Sequence, residues 1–145
     1  VAQEGQTIIE VMGIKLVIVD DATFIREVLR QTFAGTEIEV VGEAIDGIEA
    51  LKIVQKKIPD VVLMDMILPY ENGVEATKKI LQLFPKMKII ACSSEGQEAL
   101  VLQALEAGCC HFVKKPFRSK DVLHIIRQIA GRSGNNDISI LDKAE

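Results

Sequence analysis

The sequence predicts an α/β domain built on a doubly wound, five-stranded parallel sheet flanked by five helices. Two observations carry that prediction. Five short runs, most of them β-branched and apolar at every position, read as strands covered on both faces. After each run comes a segment with helical spacing of apolar residues, so the chain parses as five successive βα units. A length of 145 residues favours one domain, large enough to bury a core without disulfides or a structural metal.

The first strand is Leu16-Val17-Ile18-Val19, and the helix after it aligns Phe24, Ile25, Val28, Leu29 and Phe33 in one stripe. In Ile38-Glu39-Val40-Val41 a charge interrupts the apolar run, as expected of an edge strand. The second helix buries Ala50, Leu51, Val54 and Ile58 and stops at Pro59. The third strand is Val61-Val62-Leu63-Met64. Asn72 caps the helix that follows, with Glu75 completing a capping box. Val74, Thr77, Leu81 and Phe84 form its buried face, and Pro85 ends it. Ile89-Ile90-Ala91-Cys92 is the fourth strand. The fourth helix, Ala99 to Ala107, is apolar almost all round and ends at Gly108. Covering a sheet takes one apolar stripe, so the surplus either packs under a neighbouring helix or meets a partner. The fifth strand is Phe112-Val113. A last helix capped by Ser119 spaces Val122, Ile125, Ile126 and Ile129 along one face before Gly131.

Composition excludes several function classes. A net charge of −4 argues against direct nucleic-acid binding, which needs a basic surface. Cys92, Cys109 and Cys110 are odd in number and lack CxxC spacing, so they read as small buried thiols of a reducing compartment. No apolar run approaches the roughly 20 residues of a membrane span, and no signal-peptide pattern opens the chain. The chain therefore reads as cytoplasmic, without membrane insertion. His111 and His124 are incidental polar residues rather than a metal pair.

Ligands of parallel sheets sit beyond the carboxyl ends of the strands. The first strand ends in Asp20-Asp21, the third in Asp65, the fourth in Ser93-Ser94 and the fifth in Lys114-Lys115-Pro116. Parallel strands would converge these groups in one crevice. Carboxylates about 4 Å apart repel by roughly 4 kcal/mol at an effective dielectric of 20, so three together call for compensation. Mg²⁺, a hard cation completed by a phosphoryl group, supplies it. A lysine and a hydroxyl then meet phosphoryl oxygens, and one carboxylate is the nucleophile.

With those residues in view, the chain resembles the receiver domain of bacterial response regulators over residues 14–130. Asp20-Asp21, Asp65, Pro69 and Gly73, Ser93, and Lys115-Pro116-Phe117 carry the resemblance. The stretches VIVDDATFIREVL, VVGEAIDGIEAL and KIIACSSEGQEAL are similar to the chemotaxis type. The resemblance implies a flavodoxin-like fold with strand order 2-1-3-4-5. It implies that Asp65 is phosphorylated by a histidine kinase. Asp21, Asp65 and the Ile67 carbonyl would hold Mg²⁺, Asp20 would hold a metal-bound water, and Lys115 would pair with the phosphoryl group across a cis bond to Pro116. Ser93 would be the switch hydroxyl and Phe112 the aromatic switch. The product is a change in partner binding, not conventional enzyme turnover. The expected targets are a flagellar motor protein or an output domain, or a second copy through the fourth helix–fifth strand–fifth helix face. Residues 1–13 are read as an extension, with a natural start resembled at Met12, and 131–145 as a tail or linker carrying an apolar ISIL segment.

Alternatives weaken on single residues. A Mg²⁺-dependent phosphatase needs an Asp two residues after its nucleophile, where Ile67 stands. A degenerate, binding-only receiver would have lost some of the site residues. A flavin-binding protein would not have an acidic first loop. A receiver belonging to a larger methylesterase or DNA-binding regulator, or a phosphorelay intermediate, stays open. Apolar Ile67 and Glu95 flank the path of attacking water, so a long-lived phosphoryl group is expected.

Overall fold

The computed structural model describes residues 13–131. The readings for the extension before Gly13, including Met12, and for the tail from Arg132 with its ISIL segment lie outside the described residues.

Five strands and five helices alternate as the apolar pattern requires. They are β1 (Ile14–Val19), α1 (Thr23–Phe33), β2 (Ile38–Ala44), α2 (Gly47–Lys57), β3 (Val61–Asp65), α3 (Gly73–Leu83), β4 (Lys88–Ser93), α4 (Glu98–Ala107), β5 (His111–Lys114) and α5 (Ser119–Ile129). The sheet is parallel throughout, in the order β2-β1-β3-β4-β5, which places Glu39 on an edge strand as its charge suggested.

Side chains alternate across the three central strands and split the core into two layers. Val17, Val19, Val62, Met64, Ile89 and Ala91 face α2, α3 and α4 through Ala50, Val54, Val74, Ala76, Ile80 and Ala104. Leu16, Ile18, Val61, Leu63, Ile90 and Cys92 face α1 and α5 through Leu29, Phe33, Val122 and Ile126. Burial on both faces explains why these strands read as continuous apolar runs and not as alternating ones.

Several helix details differ from the sequence reading. Of the α1 stripe, Leu29 and Phe33 are buried, but Phe24 is 74% and Val28 41% exposed. That stripe is wider than the strip of sheet α1 covers. Ile58, counted as buried, is instead an exposed left-handed residue ending α2. Asn72 caps α3 by accepting from the Glu75 N–H at 3.0 Å, but Glu75 pairs with Lys78 instead of closing the box. A reciprocal arrangement forms at α2. Asp46 accepts from the Glu49 N–H, and Glu49 reaches back to the Ile45 N–H. Ser119 is not a cap. It is the first residue of α5, behind Arg118, and its hydroxyl lies 3.4 Å from that of Thr32. Cys92 and Cys109 are buried thiols as expected, whereas Cys110 is exposed.

Removing a cap that accepts a hydrogen bond should cost about 1 kcal/mol, whereas an exposed hydroxyl that caps nothing should cost within about 0.5 kcal/mol. Asn72→Ala is therefore expected to lower the urea midpoint clearly more than Ser119→Ala. Equal losses in the two variants would show that the α3 cap is not the stabilising contact described.

Candidate functional site

The groups singled out at the strand ends meet above the carboxyl edge of the sheet. Asp20 and Asp21 follow β1 directly, Asp65 closes β3, and Lys115 follows β5. Each carboxylate of Asp20, Asp21 and Asp65 offers an oxygen within 4.8 Å of the others. The Lys115 ammonium donates to Asp20 Oδ2 at 2.7 Å and to Asp65 Oδ2 at 3.0 Å. Backbone groups hold the remaining oxygens. Asp20 Oδ1 accepts from the Ala22 N–H at 2.9 Å, and Asp65 Oδ1 from the Ile67 N–H at 3.1 Å. Asp21 is exposed, and among the described residues its carboxylate draws no hydrogen bond or ion pair.

Local structure fixes these positions. The helix α3 begins hard against the backbone of Asp65, where a side chain at Gly73 would come within 2.4 Å of the Asp65 carbonyl oxygen. Only glycine permits that approach, and the Gly73 N–H donates to the Met66 carbonyl at 3.1 Å. On the far side, the Lys115 N–H donates to the Ser93 carbonyl at 2.7 Å, and the bond from Lys115 to Pro116 is cis, as the resemblance implied.

The electrostatics are those of a crowded acidic pocket. Asp20 and Asp65 are 3% and 7% exposed, so their charges are weakly screened. Burial pushes the Asp65 carboxyl above its ordinary range. The Ile67 N–H and the Lys115 ammonium oppose that shift, and Asp20 adds to it. For Lys115, burial acts to lower the ammonium's pKa, but hydrogen bonding to Asp20 and Asp65 outweighs it and raises it. Three carboxylates against one ammonium leave the pocket net negative. Oxygen donors of this kind suit a hard divalent cation such as Mg²⁺.

The remaining expected residues line the rim. The Ile67 N–H serves Asp65, while its side chain is half exposed. Ser93 is buried at the end of β4, and its hydroxyl draws no hydrogen bond among the described residues. Phe112 is 42% exposed. It lines, with Ser93, Ser94, Leu102 and Leu105, a groove of about 410 Å³ between α4 and β5. One contact escaped the sequence reading. Arg26 on α1 donates to the Asp20 carbonyl at 2.7 Å. An arginine on a helix reads as a solvated face, and nothing in its spacing marks it otherwise.

A profile of the response regulator receiver domain matches residues 16–127, most of the chain and all four strand ends described above. The chain belongs to the response regulator receiver family. It is 40% identical over 119 residues to the chemotaxis protein CheY of Thermotoga maritima, covering 82% of this receiver and 99% of that protein. Among solved structures, the response regulator domain of Thermotoga maritima CheB is 35% identical with a TM-score of 0.75, covering 81% of this chain and 96% of that one. A CheX–CheY–BeF3–Mg²⁺ complex from Borrelia burgdorferi matches at 27% identity and a TM-score of 0.75, over 80% and 88% of the two chains. The receiver is thus a signalling protein rather than a conventional enzyme. Among its described residues no helix is long and apolar enough to cross a membrane.

The raised pKa of Asp65 has a consequence for stability. A carboxyl that holds its proton more tightly when folded opposes folding once ionised. That penalty is absent below the ordinary value of 3.8 and is complete once pH exceeds the raised, folded-state value. In chelator at pH 7, Asp65→Asn is therefore expected to unfold at a higher temperature than the parent. The gap should close as pH falls toward 3.8. A variant less stable than the parent at pH 7 would contradict this electrostatic account.

Proposed function

We propose that this receiver accepts a phosphoryl group on Asp65 from the phosphohistidine of a histidine kinase, in a Mg²⁺-dependent reaction, and thereby switches its binding to a protein target in chemotaxis signalling. The observation that carries the proposal is the Lys115 ammonium, 3.0 Å from Asp65 Oδ2 inside a cluster with Asp20 and Asp21. An ammonium there stands beside any phosphoryl group formed on Asp65.

Asp21, Asp65 and the Ile67 carbonyl would hold the cation, with Asp20 holding a metal-bound water. When bound, Mg²⁺ would offset the charge of the carboxylates and of the phosphoryl oxygens. The chain's own part is nucleophilic attack and positioning. A carboxylate oxygen of Asp65 bonds to phosphorus, the P–N bond of the donor breaks, and the imidazole leaves with a proton. The Ile67 N–H orients the carboxylate, and Lys115 moves its hydrogen bond from carboxylate to phosphoryl oxygen. That a related CheY occurs in a complex with BeF3 and Mg²⁺ supports the Mg²⁺ dependence of the reading.

The free hydroxyl of buried Ser93 would turn toward the phosphoryl group, and Phe112 would rotate inward, along the groove both residues line. Such a change redistributes two arrangements of α4, β5 and α5. Leu102, Leu105 and Phe112 lie exposed on that face, which suits a protein target or a second copy. The functional unit is taken as residues 14–130. A cytoplasmic location follows from the need for a kinase donor and suits three free thiols.

Intact-mass analysis after incubation with acetyl phosphate and Mg²⁺ tests the proposal. The parent should gain about 80 Da, one phosphoryl group, and neither Asp65→Asn nor a Mg²⁺-free sample should do so. A folded parent that binds Mg²⁺ but gains no mass would remove the basis of the switch.

A further inference from the structure

The Asp20 peptide is held from both sides, and one hold comes from a side chain outside the acidic cluster. Its N–H donates to the Ala44 carbonyl at the end of β2, at 3.0 Å. Its carbonyl accepts from a terminal nitrogen of Arg26 at 2.7 Å. The same guanidinium donates through Nε to Glu43 at 2.8 Å, and Glu43 is the chain neighbour of Ala44. The contacts therefore close a ring through the end of β1, the first turn of α1 and the end of β2. The paired side chains are 14% and 26% exposed, so water competes little for either.

That carbonyl belongs to the peptide bond joining Asp20 to Asp21. The unit is planar, so holding its oxygen sets the direction in which the backbone reaches Asp21. This matters because the three carboxylates are not equally supported. Asp20 and Asp65 each have both oxygens hydrogen-bonded, whereas among the described residues Asp21 has only its backbone to place it. Charge poses a second problem. A bare guanidinium this close would repel a divalent cation. Glu43 removes that cost by pairing with Arg26 and, at 3.3 Å, with Arg30. The chain thus places a strong, rigid donor on the Asp20 carbonyl with its charge already balanced.

We propose that Arg26, held by Glu43, is a positioning residue that sets the Asp20–Asp21 peptide and through it the affinity of the acidic cluster for a divalent cation. The inference deepens the receiver reading and rests on it for the identity of the cation as Mg²⁺. It assigns Arg26 no contact with the cation or the phosphoryl group.

The test is calorimetric titration of the full chain with Mg²⁺, for the parent, Arg26→Met, Arg26→Lys and Glu43→Gln. It is paired with unfolding in chelator and with acetyl phosphate labelling rates across Mg²⁺ concentrations. Arg26→Met should weaken Mg²⁺ binding on the order of tenfold, as expected when a group that orients a ligand is lost. Its labelling rate at saturating Mg²⁺ should return close to that of the parent. Arg26→Lys keeps a charged donor for the carbonyl and should recover part of the affinity. Glu43→Gln should bind more weakly than the parent, because the guanidinium is left unbalanced. A folded Arg26→Met that is merely less stable, with parental Mg²⁺ affinity, would overturn the inference. Should Arg26→Met fail to fold, parental affinity in Glu43→Gln overturns it instead. A parent that binds no Mg²⁺ sinks both this inference and the reading beneath it. A parent that binds Mg²⁺ without being labelled sinks only phosphorylation, and the effect of Arg26 on Mg²⁺ affinity still decides this inference.

Discussion

Three carboxylates converge where a parallel sheet presents its carboxyl edge, and much of the surrounding structure answers that concentration of charge. Lys115 bridges Asp20 and Asp65, yet one ammonium leaves the pocket net negative. The protein places Asp65 in this pocket although burial pushes its carboxyl toward the neutral form. A pocket arranged for stability alone would hold fewer charges or more counter-charges. The imbalance is sensible if a cation and a phosphoryl group come and go there, since each alters what the other experiences.

The sheet makes this crowding achievable. Strands β1, β3 and β4 are buried on both faces, so their ends cannot drift apart without disrupting two core layers at once. The close seat of Gly73 on the Asp65 backbone brings α3 onto the end of the same strand. The rim is looser. α4 buries Ala104 while leaving Leu102 and Leu105 exposed, and Phe112 stands beside a groove that also reaches Ser93. A centre buried on both faces beside an α4–β5 edge with exposed apolar side chains suits the proposed phosphorylation switch, because small changes at a centre can repack such an edge.

Much of this was legible in the residues. Strand burial on two faces produces unbroken apolar runs, so β1, β3 and β4 were plain, and the polar residue ending each run pointed to the pocket. Helix detail was harder to read. Phe24 and Val28 fit the α1 stripe by spacing, but spacing does not say how wide a strip the sheet covers. Ser119 looked like a cap because serine often is one, yet the chain enters α5 a residue earlier. Asp46 carries the better-formed capping arrangement, and Glu49 three residues on is the sequence signal that marks it. Arg26 was illegible for a deeper reason. Its contact with the Asp20 carbonyl is to backbone, and a sequence does not advertise which carbonyl a long side chain will reach.

Phosphorylation on Asp65 alone, as proposed, is open to a direct chemical test. Borohydride reduces an acyl phosphate to the alcohol, which converts a phosphorylated aspartate to homoserine. Peptide mapping of the reduced protein, after phosphorylation with Mg²⁺ present, reads the position directly. Homoserine is expected at residue 65 and at no other aspartate. Homoserine at Asp20 or Asp21 in place of Asp65 would contradict it, because the nucleophile would then be one of the carboxylates assigned to holding the cation and its water.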